Sequence, residues 1–127
     1  MSKLESQLAL QMRAVKLPEP EHEYRFAAMA TGGTGTGVRQ RIKASGMKDW
    51  RMDFCWPDLM LAIEVEGGGW TNGRHTRGSG FEADIKKYSE AMRLGYTVYR
   101  CDGRLIKNGE AVQVIETLYD QCKRRAA

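Results

Sequence analysis

The sequence predicts one α/β domain over residues 1–127, a central mixed β-sheet flanked by helices. Three observations predict it. Two apolar runs, "WRMDFCW" and "LMLAIEVE", meet at Pro57-Asp58, a good turn pair, and read as a hairpin. Stretches with helical apolar spacing stand on both sides of that hairpin. A further strand, "YTVYRC", lies between two of those helices.

In chain order, "SKLESQLALQMRAV" is a first helix, with Leu4, Leu8, Met12 and Val15 at near-helical spacing and Ser2 with Glu5 as a capping box. The prolines of "LPEPEHE" end it. "YRFA" is expected as a short strand, "ATGGTGTG" as a flexible loop and "VRQRIKASG" as a short basic helix closed by Gly46. After the hairpin comes a long glycine-rich, basic loop, "GGGWTNGRHTRGSG". "FEADIKKYSEAMRLG" is a helix with Phe81, Ile85, Tyr88 and Met92 expected inward and Gly95 at its end. "GEAVQVIETLYDQCKRRA" is the last helix, with Val112, Ile115, Leu118, Tyr119 and Cys122 on one stripe. No internal repeat or long linker divides the chain.

The 127 residues, 42% hydrophobic and 28% charged, suffice to bury a core and are ordinary for a soluble globular domain. No apolar run approaches the roughly 20 residues of a membrane span, so no membrane partner is expected. "MSKLESQLAL" carries no signal-peptide core, which makes a cytoplasmic protein the expectation. Cys55, Cys101 and Cys122 are scattered, which suits a reducing compartment and argues against a disulfide framework. His22 and His75 are too few and too isolated for a zinc site, and His22 reads as surface. A net charge of +4 and a pI near 9.1 favour polyanions, nucleic acid first among them.

The acids in the middle of this basic chain are the anomaly. Residues two apart on a strand share a face, so Leu61, Ile63 and Val65 point one way and Ala62, Glu64 and Glu66 the other. Asp53, on the neighbouring strand, lies within reach of that second face. A solvated sheet face is the plain reading, yet Glu is a poor strand former and adjacent like charges repel. A hard divalent cation such as Mg²⁺ resolves the conflict, because it takes carboxylate oxygens plus water and phosphate. Basic residues surround the acids: Arg51 beside Asp53, Arg74, His75 and Arg77 in the following loop, and Lys86 and Lys87 on the next helix. Acids to hold a metal and bases to hold phosphate oxygens are the parts of metal-assisted phosphodiester hydrolysis. "GGTGTG" lacks the GK[ST] ending of a Walker loop, and reads either as a plain connector or as a loop laying Arg39, Arg41 and Lys43 on DNA. Trp50, Trp56 and Trp70 read as core or loop anchors.

Asp53, ten residues, then Glu64-Val65-Glu66 resembles the D…(D/E)XK signature of the PD-(D/E)XK nuclease superfamily. More narrowly, "WRMDF…LAIEVEGG.W…GRHTRGSGFEADIKKYSEAMRLGYTVYR" is similar to small phage and prophage endonuclease-domain proteins, and more distantly to the very-short-patch-repair endonuclease group. The resemblance covers roughly residues 1–105, with residues 50–101 its most specific part. It implies a restriction-endonuclease-like core (αβββαβα-like) and a Mg²⁺-dependent endonuclease acting on DNA, with Mn²⁺ as a substitute, in the cytoplasm of a bacterial host. It implies Asp53 as central metal ligand and Glu64 as the second. Glu66 stands where the signature usually has lysine, and ligand and general base both remain open for it. Glu5 matches the superfamily's accessory acid, with the capping box as the equal alternative. Asp84 and Lys87 match a D-x-x-K/R on the following helix, and His75 matches a loop histidine of related nucleases. A homodimer is compatible with double-strand cleavage, since one site cuts one strand. The missing lysine argues for the rival reading, a non-catalytic nucleic-acid-binding module, and RNA is the alternative substrate.

Overall fold

Ser2 opens helix α1 (Lys3–Ala14) by accepting the Glu5 N–H on its Oγ at 3.1 Å. The helix ends where Lys16 turns left-handed (φ 65°) and Leu17 N–H reaches back to Met12 C=O at 3.1 Å. The computed structural model describes residues 1–67 and 78–127, and the side chains of residues 78–81 and 83 also lie outside the description. Strand β1 (Glu21–Tyr24) follows, and then a correction to the sequence reading. "YRFA" is not a strand: β1 stops at Tyr24 and Phe26 begins helix α2 (Phe26–Ala30). Alanine is the best helix former, and burial of Phe26, Ala27 and Ala28 together fits a packed turn rather than strand alternation. Helix α3 (Val38–Ser45) closes at Gly46, whose φ of 81° satisfies the left-handed cap without a Cβ penalty.

The hairpin forms as the sequence predicts. Strand β2 (Met52–Trp56), a 3-10 turn (Pro57–Leu59) and strand β3 (Leu61–Glu66) pair antiparallel with Phe54 opposite Ile63. Helix α4 (Gly78–Arg93) leads to strand β4 (Thr97–Asp102), which pairs parallel with β3. A short helix the sequence reading lacked, α5 (Gly103–Lys107), precedes α6 (Glu110–Ala126). Asp102 caps α5 by accepting the Leu105 N–H at 3.1 Å, and Ile106 is fully buried. The mixed sheet has the order β1-β2-β3-β4.

Alternation along the strands gives the sheet two apolar faces. Phe54, Trp56, Leu61, Ile63 and Cys101 pack with Leu8 and Met12 of α1, Ile106 of α5 and Ile115 of α6. Cys55 and Ala62 pack on the other side with Phe26 of α2 and Tyr88 and Ala91 of α4. The expected inward stripe of α4 is shifted: Ile85 and Met92 are 53% and 57% exposed, while Tyr88 and Ala91 are buried. At 100° per residue, this rotation also turns Lys87 toward the sheet. The three cysteines are free and buried, and burial pushes the Cys55 and Cys101 thiols up to about 12, which leaves both inert. Among the described residues, no helix is long and apolar enough to cross a membrane.

Candidate functional site

The β2–β3 ladder runs as far as Phe54 opposite Ile63, and one step beyond it the register sets Asp53 opposite Glu64. Here side chains take over from the backbone. Asp53 N–H donates to Glu64 Oε2, and Val65 N–H donates to Asp53 Oδ2, each at 2.8 Å. Two acids that period-two alternation puts on one face are thus held by each other's strands.

Glu64 is only 6% exposed, so its charge requires partners. Lys87 Nζ of α4 lies 2.5 Å from its Oε1, and Tyr88 OH donates to the same oxygen at 3.0 Å. Burial, reinforced by the charges of Glu64 and Glu66, pushes the Tyr88 phenol well above its ordinary value, so Tyr88 remains a donor. Glu66 shares the face but turns to another cation: Arg100 Nε of β4 donates to its Oε1 at 2.6 Å. Tyr88 OH also lies 3.5 Å from that oxygen.

Among the described residues, Asp53 has no such relief. Burial raises its carboxyl to about 7, the Glu64 charge adds to the rise, and the Val65 N–H opposes it. Its other neighbours are also acids, for one carboxylate oxygen each of Glu5, Glu23 and Asp53 lie within 4.8 Å of one another. Glu5 accepts the Ser2 hydroxyl at 3.0 Å and also lies in the oxygen cluster with Asp53. Glu23, on β1 between the paired His22 and Tyr24, has a left-handed backbone (φ 49°), a conformation costing roughly 1–2 kcal/mol outside glycine. Such conformations concentrate at functional sites. The donors are hard oxygens only, a set that fits Mg²⁺ or Mn²⁺ and not a thiophilic metal.

The structure therefore brings together Asp53, Glu64, Glu5 and Lys87, with Glu66 alongside in an ion pair. Arg51 is exposed and 3.9 Å from Asp49, and Lys86 is exposed and 3.9 Å from Glu90. Asp84 and Arg39 are exposed. Arg41 is committed elsewhere: its guanidinium donates to Thr36 C=O at 2.6 Å and to Gly33 C=O at 2.9 Å, stapling the glycine–threonine loop. Arg74, His75, Arg77 and Trp70 lie outside the described residues. Trp50 stacks near Phe26 and Trp56 Nε1 donates to Pro18 C=O, so both are anchors.

Sequence reasoning missed Glu23, Tyr88 and Arg100 as site residues. Arg100 is set beside Glu64 by the parallel register of β4, which no local pattern in the sequence specifies. Tyr88 reads as core on its helical stripe, and Glu23 sits in a stretch whose prolines read as a helix-ending loop.

Two uncharacterized proteins of Mycobacterium tuberculosis, from strains CDC 1551 / Oshkosh and ATCC 25618 / H37Rv, are each 30% identical to this chain over 97 residues. The matched region is 76% of this chain and 28% of each relative, so the chain spans under a third of the curated relatives it matches. No family model matches the chain, and no solved structure matches it.

Proposed function

We propose that this domain is a metal-dependent endonuclease that hydrolyses DNA phosphodiester bonds, built on a PD-(D/E)XK nuclease core. The observation that carries the reading is the position of Asp53. It joins the buried Glu64 on one side and an oxygen cluster with Glu5 and Glu23 on the other, with no base among the described residues to neutralise that cluster. Asp53, Glu5 and Glu23 would hold the divalent ion, with Glu64 behind Asp53 as the fixed second acid. When bound, the ion supplies Lewis-acid charge stabilisation for the phosphodiester. Lys87 supplies the ammonium that the strand position of Glu66 lacks, holding Glu64 in place.

A second reading, a non-catalytic nucleic-acid-binding module, has one observation in its favour. Glu64 is already satisfied by Lys87, Tyr88 and the Asp53 amide, a self-neutralised arrangement that stands without a metal. Incubation of supercoiled plasmid, branched and single-stranded DNA, and RNA with Mg²⁺ or Mn²⁺ separates the two. The nuclease reading expects divalent-dependent cutting that Asp53→Asn lowers at least about a thousand-fold, the several kcal/mol that metal charge stabilisation represents. Binding without cutting of any substrate selects the second reading, and cutting of RNA alone changes the substrate.

A further inference from the structure

We infer that Arg100 is a phosphodiester-binding residue of this site, and that Glu66 serves to aim it rather than to bind metal or act as a base. The inference takes its substrate class from the nuclease reading. The parallel register sets Arg100 beside Glu64, and its side chain stays 50% exposed. Its Cζ lies 4.5 Å from the centroid of the Tyr88 ring, whose hydroxyl is tied to Glu64. The guanidinium is therefore fixed on one face by an aromatic ring and at one nitrogen by a carboxylate.

The form of the Glu66 contact is informative. The other arginine–carboxylate hydrogen bonds among the described residues are bidentate: Arg13 engages Glu19, and Arg25 engages Asp49, through both Nε and Nη2. That fork is the ordinary way for arginine to balance a carboxylate. Arg100 engages Glu66 through Nε, its one hydrogen bond among the described residues, which leaves the two terminal nitrogens for a second anion. Lys87 is spent on Glu64, so among the described residues it is Arg100 that offers planar donors to a phosphate oxygen at this edge of the sheet. Glu66, held by Arg100 and touched by Tyr88, is already engaged by the groups it positions.

The test compares wild type with Arg100→Gln for binding of a labelled DNA duplex across a salt series, without divalent cation so that no strand is cut. The expected result is a salt slope lower by about one for Arg100→Gln, with affinity down roughly ten-fold, as one lost charge-assisted phosphate contact gives. Calorimetric titration with Mn²⁺ alone should give unchanged metal affinity for Arg100→Gln and for Glu66→Gln. An unchanged salt slope, or a clear loss of Mn²⁺ affinity in Glu66→Gln, overturns the inference. If Arg100→Gln loses its melting transition, Arg100→Lys carries the test: it keeps the charge but not the fork, so affinity should fall at least several-fold at an unchanged melting temperature. Wild-type affinity in that variant also overturns the inference. Failure of the nuclease reading looks different, since a chain that binds DNA with an Arg100-dependent slope but never cuts sinks that reading alone. A wild-type chain that binds no nucleic acid overturns both.

Discussion

Two groups of acids meet at this site and are balanced in opposite ways. Glu64 and Glu66 each have a cation, Lys87 and Arg100, and share the hydroxyl of Tyr88. Glu5, Glu23 and Asp53 have one another, within 4.8 Å and with no basic partner among the described residues. The balanced pair is a finished piece of structure. In the unbalanced trio, Asp53 meets the same cost by a pKa raised to about 7, which keeps a proton on it where an exposed aspartate would have none. Its charge state therefore depends on pH.

Breaking the balanced side should have the largest effect. Lys87→Met leaves Glu64, 6% exposed, charged and without its ammonium, and should destabilise the fold by about 3 kcal/mol in chemical denaturation. A change under about 1 kcal/mol would mean that Glu64 and Lys87 are not a buried pair in solution. Filling the unbalanced side comes next. A divalent cation at a hundred times its dissociation constant should stabilise the wild type by about 2.7 kcal/mol, and Asp53→Asn should lose that gain. A gain that survives in Asp53→Asn would place the cation elsewhere.

The pH dependence sharpens the contrast without a metal. The folded carboxyl of Asp53 titrates near 7 and the unfolded one near its ordinary 3.8. Between those values the folded state holds a proton that the unfolded state has released, so this group's contribution to stability falls as pH rises from about 4 to about 7 and is flat above. Asp53→Asn should remove that slope relative to wild type, which paired denaturation curves at pH 5 and 8 would register (both values chosen to bracket roughly the folded transition). Adding divalent cation should reverse the sense, because the metal binds the ionised form. The smallest expected effect is relief of repulsion: Glu23→Gln should raise metal-free stability by about 0.5 kcal/mol while weakening Mn²⁺ binding. A loss of metal-free stability in that variant would show that Glu23 is held by something other than the acid cluster.

The sequence by itself determined the parts of this protein that depend on local periodicity. Pro57-Asp58 between two apolar runs specifies the hairpin, and a strand's period of two then puts Glu64 and Asp53 on one face once the turn fixes the register. Ser2 with Glu5, Gly46 and Gly95 mark helix ends because capping is satisfied within a few residues. Tertiary structure alone decided the rest, because it depends on pairings far apart in the chain. "YRFA" split into strand and helix under the pull of burial, and α4 turned by less than a residue's width from its predicted stripe, which exposed Ile85 and Met92 and delivered Lys87 to Glu64. Arg41, equally basic in the sequence, was drawn into stapling its own loop. Arg100 reached Glu66 through the parallel pairing of β4, and Glu23 reached Asp53 through the antiparallel pairing of β1. No periodicity encodes which strand lies beside which. That choice is made by the burial of both sheet faces at once, and among the described residues it decided which acids received a counter-ion.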